Sequence, residues 1–279
     1  MAKMLEVSSS GYYRFLKFKP SQRANENEVL FNQIKEIYDI HKKRYGSPRI
    51  HKALVKKGIR CSRKRVSRLM SQNQLIAKPQ KRFKLTTTVD KKAAFAPNLL
   101  EQKFEAKFPN QKWVSDITYI WTLEGWLYLA VILDLFSRKV VGMSMNDRLQ
   151  SEIVTDALQQ AVGRRNPAHG LIHHSDRGVQ YTSANFQKLL KENQIVCSMS
   201  ATGNCYDNAV AESFFNSLKT ECVYTNSYVT RSQARQSIFE YIEVFYNNDR
   251  LHSTIGYLTP NEFENNYFSQ QQNVSLRGV

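Results

Sequence analysis

The chain has 279 residues, with 40 Lys and Arg against 24 Asp and Glu, a formal charge of +16. That excess points to a polyanionic partner. Hydrophobic residues make up 42% and aromatics 11%, enough for one sizeable core and too much for a wholly disordered basic tail. The most apolar stretch, Trp126 to Leu133, stops at Asp134, well short of the roughly 18 apolar residues of a membrane span.

The N-terminus, MAKMLEVSSSGYYRF, lacks the apolar region of a signal peptide, so the cytoplasm is the expected compartment, with no membrane partner. Cys61, Cys197, Cys205 and Cys222 show no CxxC spacing, and no HxxxH accompanies one. Neither a disulfide framework nor a structural zinc is expected.

Charge divides the chain. Residues 1–112 hold 27 Lys and Arg against 8 Asp and Glu, and residues 113–279 hold 13 against 16. A basic binding region therefore precedes a domain of ordinary globular composition. In chain order, Asn25 to His41 carries Val29, Leu30, Ile34, Ile37 and Tyr38 at helical spacing and predicts an amphipathic helix.

In the stretch that follows, Ser47 can cap a second helix, Pro48 fits its first position, Ile50, Ala53 and Leu54 form its apolar stripe, and Gly58 ends it. Ser62 can cap a third, with Val66, Leu69 and Met70 inward and Arg63, Lys64, Arg65 and Arg68 near its start. That is a helix-turn-helix pattern: a helix fits the major groove, its N-terminal side chains reach base edges, and flanking cations meet phosphates. Residues 1–77 are read as this small all-α DNA-binding domain, with the double-stranded DNA contacts assigned to those four cations.

Residues 78–111 read as a basic linker, with Lys78, Lys81, Arg82, Lys84, Lys91 and Lys92 in a stretch without apolar periodicity. From Trp113 the pattern changes to strands, WVSDITYIW, GWLYLAVILD and KVVGMSM, an antiparallel meander. SEIVTDALQQAVGRR follows as a helix, with Ser151 its cap, and LIHHSD as a short strand returning beside the first. The expected fold from these elements is α/β, a mixed sheet with flanking helices.

Asp116 lies inside an apolar strand, where an ionised group is costly unless paired or metal-bound. Asp176 ends the LIHHS strand, and parallel neighbours about 4.8 Å apart would bring the two carboxylates together. Hard oxygen ligands so placed suit Mg²⁺. A third acid, Glu212, lies on the NAVAESFFNSLK helix seven residues before Lys219, a spacing that returns to within roughly 20° of the same face. The acid can bind metal while the lysine holds DNA phosphate. Asp207 competes for the acid's role, although its place just before the helix suits an N-cap. Three clustered carboxylates in a basic protein suggest two-metal phosphodiester chemistry.

These motifs, WVSDITYI, HHSDRGVQYTS and GNCYDNAVAESFFNSLK, with 35 residues between the last two acids, resemble the DDE transposases of bacterial insertion sequences. Those are related to retroviral integrases and have an RNase H-like catalytic core, a resemblance that adds a fifth strand and makes the expected fold a mixed five-stranded sheet. SSSGYYRF, YGSPRIHKAL, APNLLEQKF and YNNDRLHSTIGYLTPNEF extend the resemblance over residues 8–266. Val179 stands where serine is common and Ile255 where leucine is usual.

The resemblance implies a catalytic core at 112–225, a C-terminal helical extension at 226–267 and a disordered tail at 268–279. It implies a D,D(35)E triad of Asp116, Asp176 and Glu212 that binds two Mg²⁺ ions, with Mn²⁺ able to substitute, and a Lys219 that positions the DNA end. Water first frees a 3′ hydroxyl at the element end, and that hydroxyl then attacks another phosphodiester, so no nucleotide cofactor is needed. A homo-oligomer bridging two ends is also implied, as is an upstream-frame protein or fusion, because the chain resembles a second-reading-frame product.

On the residues alone, a hydrolytic nuclease of the same fold and a non-enzymatic helix-turn-helix regulator stay open. Trp113, Thr118, His174 and Tyr181 border the acids and are read as packing. Ser232 to Tyr246 reads as a helix with Ala234, Ile238, Tyr241, Ile242 and Phe245 inward. For Tyr246, Asn247, Arg250 and His252 beyond it, contact with DNA and ties to the core stand as equal readings.

Overall fold

The computed structural model describes residues 4, 6, 8–16, 21–77, 96–200 and 208–277, with backbone alone for 273–277. The basic run at 78–95, Cys205 and Asp207 fall outside the described residues. The chain divides into two compact units, Met1–Lys78 and Pro79–Val279.

In the first unit a short helix, α1 (Ser9–Leu16), precedes α2 (Gln22–Ile40), α3 (Ser47–Lys56) and α4 (Arg63–Gln72). Helix α2 starts earlier than its apolar spacing predicts because the Ser21 side chain caps it, accepting from the Ala24 amide. Leu30, Ile34, Ile37 and Tyr38 of α2 meet Ile50 and Leu54 of α3 and Val66, Leu69 and Met70 of α4 in one buried core. Val29, expected inward, is exposed, and the buried stripe of α2 starts at Leu30, the next residue along. The cap of α3 is Gly46 and not Ser47, with Pro48 in the first turn. Gly58 follows α3 at φ +80°, a conformation that glycine adopts without steric cost and that ends the helix. Ser62 caps α4 through the Arg65 amide, as its spacing predicts.

The second unit is built on a five-stranded mixed sheet of order β3-β2-β1-β4-β5. Its strands are β1 (Lys112–Thr122), β2 (Gly125–Asp134), β3 (Val140–Asn146), β4 (Ile172–Ser175) and β5 (Val196–Met199). The first three pair antiparallel, and β4 lies parallel to both β1 and β5. The sequence reading located four of these strands; β4 and β5 are both four residues long, but β4 stands out as a short run closed by Asp176, whereas β5 has no such marker.

Helix α5 (Glu152–Arg165) crosses the sheet and buries Ile153, Val154, Ala157, Leu158 and Ala161 against Trp113, Ala130 and Ile132. A Cβ on Gly142 would strike the Ala157 carbonyl and the Ala161 side chain, so only glycine lets α5 sit this close to β3. Ser151 stands at the N-cap of α5 but makes no side-chain cap bond. Helix α6 (Ala184–Glu192), capped by the Ser183 hydroxyl, adds Phe186 and Leu190 to the same core.

On the C-terminal side, α7 (Ala209–Glu221) is followed by α8 (Arg231–Phe239), which opens on a Thr230/Gln233 capping box and runs into a π-helical stretch, Glu240–Tyr246. All five residues read as inward there are buried.

Two expected boundaries differ. Residues 96–111, read as part of the linker, pack on the sheet: Leu100 is fully buried, the Leu99 amide donates to Ser198 Oγ at 2.9 Å, and Pro97 O accepts from the Met199 amide. Residues 268–277, read as tail, continue helix α9 (Pro260–Arg277). Glu264 and Phe263 anchor the start of α9 on Arg165 and Phe136. No glycine or proline interrupts the helix before Gly278, so it propagates from that anchor.

Candidate active site

The register of the sheet sets the two aspartates. The last β1/β4 pair is Val114 with His174, and Asp116 and Asp176 each lie two residues further along parallel strands. Both keep part of their surface open to solvent. Asp116 Oδ1 accepts from the Ile117 amide at 2.8 Å, and Asp176 Oδ1 from the Gly178 amide at 2.9 Å. A Cβ at Gly178 would press on the Asp176 carboxylate.

Burial pushes the Asp116 carboxyl up to about 8, Asp176 and Glu212 push the same way, and the Ile117 amide and Lys219 oppose them. Burial also raises Asp176 and Glu212 above the usual carboxylate range. Asp116, Asp176, Glu212 and Lys219 therefore share one electrostatic neighbourhood.

Helix α7 carries the last two. The Asn208 side chain at its start donates to Ser115 O at 3.2 Å, which pins the helix to β1 beside Asp116. This buried asparagine was missed in the sequence, where the cap was assigned to Asp207. The NAVAES motif contains it, but nothing local marks its contact, 93 residues away.

Glu212 is exposed, whereas Lys219, expected to project with it, is only 5% exposed. The Lys219 ammonium lies 5.3 Å from the Tyr119 ring centroid; burial lowers its proton affinity and Asp116 restores part of it. Seven residues of helix bring the two to one face, but the strand beneath covers only the second.

Among the described residues no three His, Cys, Asp or Glu side chains are gathered closely enough to hold a metal ion. The chemistry of the donors nonetheless suits a hard divalent cation, because the three carboxylates offer only oxygen atoms and the other two raise the proton affinity of Asp116.

The neighbours of the acids are core residues. Trp113, Thr118 and Tyr181 are buried, and His174 hydrogen-bonds Ser198 Oγ at 2.9 Å and Ser200 Oγ at 3.2 Å. Arg177 Nε donates to Ser200 O at 2.7 Å and ties the loop after Asp176 to the end of β5.

The C-terminal polar residues are also core ties. Asn247 pairs its amide with the Val140 backbone N–H and C=O, both at 3.0 Å, Arg250 meets Glu221, and Tyr246 packs edge-on against Phe214 and His252.

In the first unit Arg63, Lys64 and Arg68 are exposed at the start of α4. Arg65 is not presented in the same way. Its Nε donates to Asn27 Oδ1 at 2.8 Å and it pairs with Glu26 at 3.4 Å, so it ties α4 to α2.

Residues 106–205 match a family model described as an integrase core domain, residues 212–268 match a second model so described, and residues 24–83 match an HTH-like domain. The chain is 46% identical over 247 residues to the transposase for insertion sequence element IS904 of Lactococcus lactis subsp. lactis (strain IL1403), covering 88% of this chain and 97% of that protein. It is 42% identical over 267 residues to transposase InsF for insertion sequence IS3A of Escherichia coli (strain K12), covering 95% and 93%. Among solved structures, the HTLV-2 integrase catalytic core domain in complex with magnesium (trimeric form) aligns with 57% of this chain and 99% of that one, at 18% identity and a TM-score of 0.43.

Identity of this order runs through both the helical unit and the sheet, and the chain belongs to the insertion-sequence transposases with an integrase core domain, a family of polynucleotidyl transferases.

Proposed function

We propose that this transposase cuts the ends of its element and joins them to target DNA by Mg²⁺-dependent phosphodiester chemistry, with Asp116, Asp176 and Glu212 as a D,D(35)E triad. The observation that carries this reading is the parallel β1/β4 register, which advances Asp116 and Asp176 side by side while Glu212 and Lys219 add to the field at Asp116.

The three carboxylates would hold the metal, with Mn²⁺ able to replace Mg²⁺, and two ions bound there would supply activation of the attacking oxygen and charge stabilisation of the leaving one. Asp116 presents its oxygens from within β1 and Asp176 from the residue that follows β4. Glu212, the exposed member, would complete the set from α7. Lys219 supplies positive charge for the DNA end.

In the first step water attacks the phosphodiester and the bond to the 3′ oxygen breaks, leaving a 3′ hydroxyl. In the second that hydroxyl attacks a target phosphodiester; one P–O bond forms, one breaks, and the proton passes to the displaced oxygen. Bond energy is conserved, so no nucleotide is consumed.

Arg63, Lys64 and Arg68 of α4 meet duplex DNA, and Arg65 holds the helix that presents them. The chain acts as a homo-oligomer bridging two ends, completed by an upstream-frame protein or fusion.

The test is a Mg²⁺ reaction on labelled DNA carrying the gene's own flanks, with and without the upstream-frame product, comparing wild type with Glu212→Gln. Cleaved and joined products vanish in the variant while DNA binding persists. Mg²⁺-dependent activity retained in Glu212→Gln would overturn the triad. Cutting without joining would make the protein a hydrolytic nuclease.

A further inference from the structure

Beyond Val114, β1 leaves β4 behind and continues with β2 as a hairpin. This hairpin exposes an unusual row of large side chains: Tyr119 (45%), Trp121 (57%), Leu123 (74%) and Trp126 (43%). Trp126 stands edge-on to both Tyr119 and Trp121, with ring centroids 5.1 and 4.8 Å apart. The hairpin tip is tied to the opposite wall by the Leu123 amide donating to Tyr228 O at 3.1 Å, and Tyr224 and Val229 stand exposed on that wall.

Between the walls lies a groove of about 520 Å³, within the range of pockets that bury a ligand of nucleoside size. Its lining includes Lys219 and no carboxylate. Lys219, which the Asp116 carboxylate influences, is thus shared between the groove lining and the electrostatic neighbourhood of the acids.

An aromatic cluster left on the surface of a soluble domain marks an interaction site. Its position and charge favour one occupant. A groove with flat aromatic faces, a cation and no acid in its lining suits a strand with apolar bases and a charged backbone, and its lysine is the one that Asp116 influences.

We propose that this groove is a single-strand DNA subsite, which takes bases unpaired from the duplex at the active site and stacks them on Trp121, Trp126 and Tyr224. Every base has a π-face, so the subsite reads strand separation and not sequence. Lys219 biases the groove toward a polyanion and couples its occupancy to the acids. The inference rests on the reading of Asp116, Asp176 and Glu212 as the reaction centre, but its test needs no catalysis.

The full chain is titrated, in EDTA, with a short oligo(dT) and with a blunt duplex of equal length, following tryptophan fluorescence and anisotropy. Wild type binds oligo(dT) with quenching of its tryptophans. Trp121→Ala combined with Trp126→Ala weakens oligo(dT) binding roughly 5- to 100-fold, while duplex affinity, carried by α4, stays within about twofold. Phenylalanine at both positions keeps a π-face and restores most of the binding.

Equal oligo(dT) affinity in wild type and the alanine variants overturns the proposal. So does a drop in oligomeric state on sedimentation with oligo(dT) affinity intact, which assigns the groove to a contact between copies. The single variant Trp121→Ala, at the more exposed tryptophan, gives the same readout if the double variant does not fold. Loss of joining in Glu212→Gln, with single-strand binding indifferent to the tryptophans, would sink this inference and leave the catalytic reading standing.

Discussion

The Arg250 guanidinium grips the Glu221 carboxylate through Nη2 at 2.8 Å and Nε at 2.9 Å, with the two side chains only 7% and 9% exposed. Tyr241 donates to the same carboxylate at 2.9 Å, and Arg250 also donates to Ser217 Oγ at 2.9 Å. Burial by itself lowers the proton affinity of Arg250, and Glu221 more than reverses this. The pair joins the end of α7 to the segment after the π-helical stretch, so it fixes the helix that carries Glu212.

Removing one partner strands a buried charge. Glu221→Ala and Arg250→Ala should each cost about 3–5 kcal/mol, whereas Glu221→Leu combined with Arg250→Met should recover most of the loss. Urea denaturation of the four proteins checks this. A single-variant loss below about 1 kcal/mol would mean the pair is not buried in solution.

The carboxylates of the candidate site repel one another in the absence of a cation. Asp116→Asn removes the carboxyl whose proton affinity burial raises to about 8, and with it the cost of protonating that group on folding at neutral pH, so it should raise the unfolding midpoint of the metal-free protein, on the order of 1–2 kcal/mol or roughly 2–8 °C. Mg²⁺ should raise the midpoint of wild type and leave that of Asp116→Asn unmoved. Thermal unfolding with EDTA and with Mg²⁺ measures both, and an equal Mg²⁺ shift in the variant counts against Asp116 as a ligand.

The basic residues of α4 should separate into two classes. Arg63→Ala, Lys64→Ala and Arg68→Ala should each weaken duplex binding and flatten the dependence of log K on log salt by about one unit. Arg65→Ala should instead lower stability, because its guanidinium is committed to Asn27 and Glu26. Binding isotherms at several salt concentrations, alongside melting curves, distinguish the two. A full salt-slope change in Arg65→Ala with unaltered melting would reverse the assignment.

His173 is fully buried against Tyr181 and Phe186, and among the described residues neither ring nitrogen meets a hydrogen-bond partner. Burial drives its pKa down to about 3, with His174 adding to the shift. Between about 6.5 and 3 the unfolded chain therefore binds a proton that the folded chain refuses, so stability falls as pH drops below 6.5.

His173→Phe should remove that contribution, about 2 kcal/mol of the loss between pH 7.5 and pH 5. Denaturant midpoints of both proteins at the two pH values test it. Parallel losses in the two would place the acid sensitivity elsewhere.

Much of the sheet was legible because alternation along a strand is a local property. The stretches around Trp113–Trp121 and Gly125–Asp134 announce β1 and β2 to within a residue. The acid motifs were equally plain, since Asp116 interrupts an apolar run and Asp176 closes one. The four-residue β5, which has neither a period nor an acid at its end, left no such trace.

What the sequence alone determined is therefore the set of strands long enough to show alternation, the helix-turn-helix pattern and the identity of the acidic motifs. Each depends on neighbours a few residues away. The tertiary structure decided which polar groups are withdrawn from solvent. Lys219 lies over Tyr119, 100 positions earlier, Arg250 on Glu221, and Glu264 on Arg165. Burial of a charge is set by the partner that the fold brings to it, and no local pattern records a partner that distant.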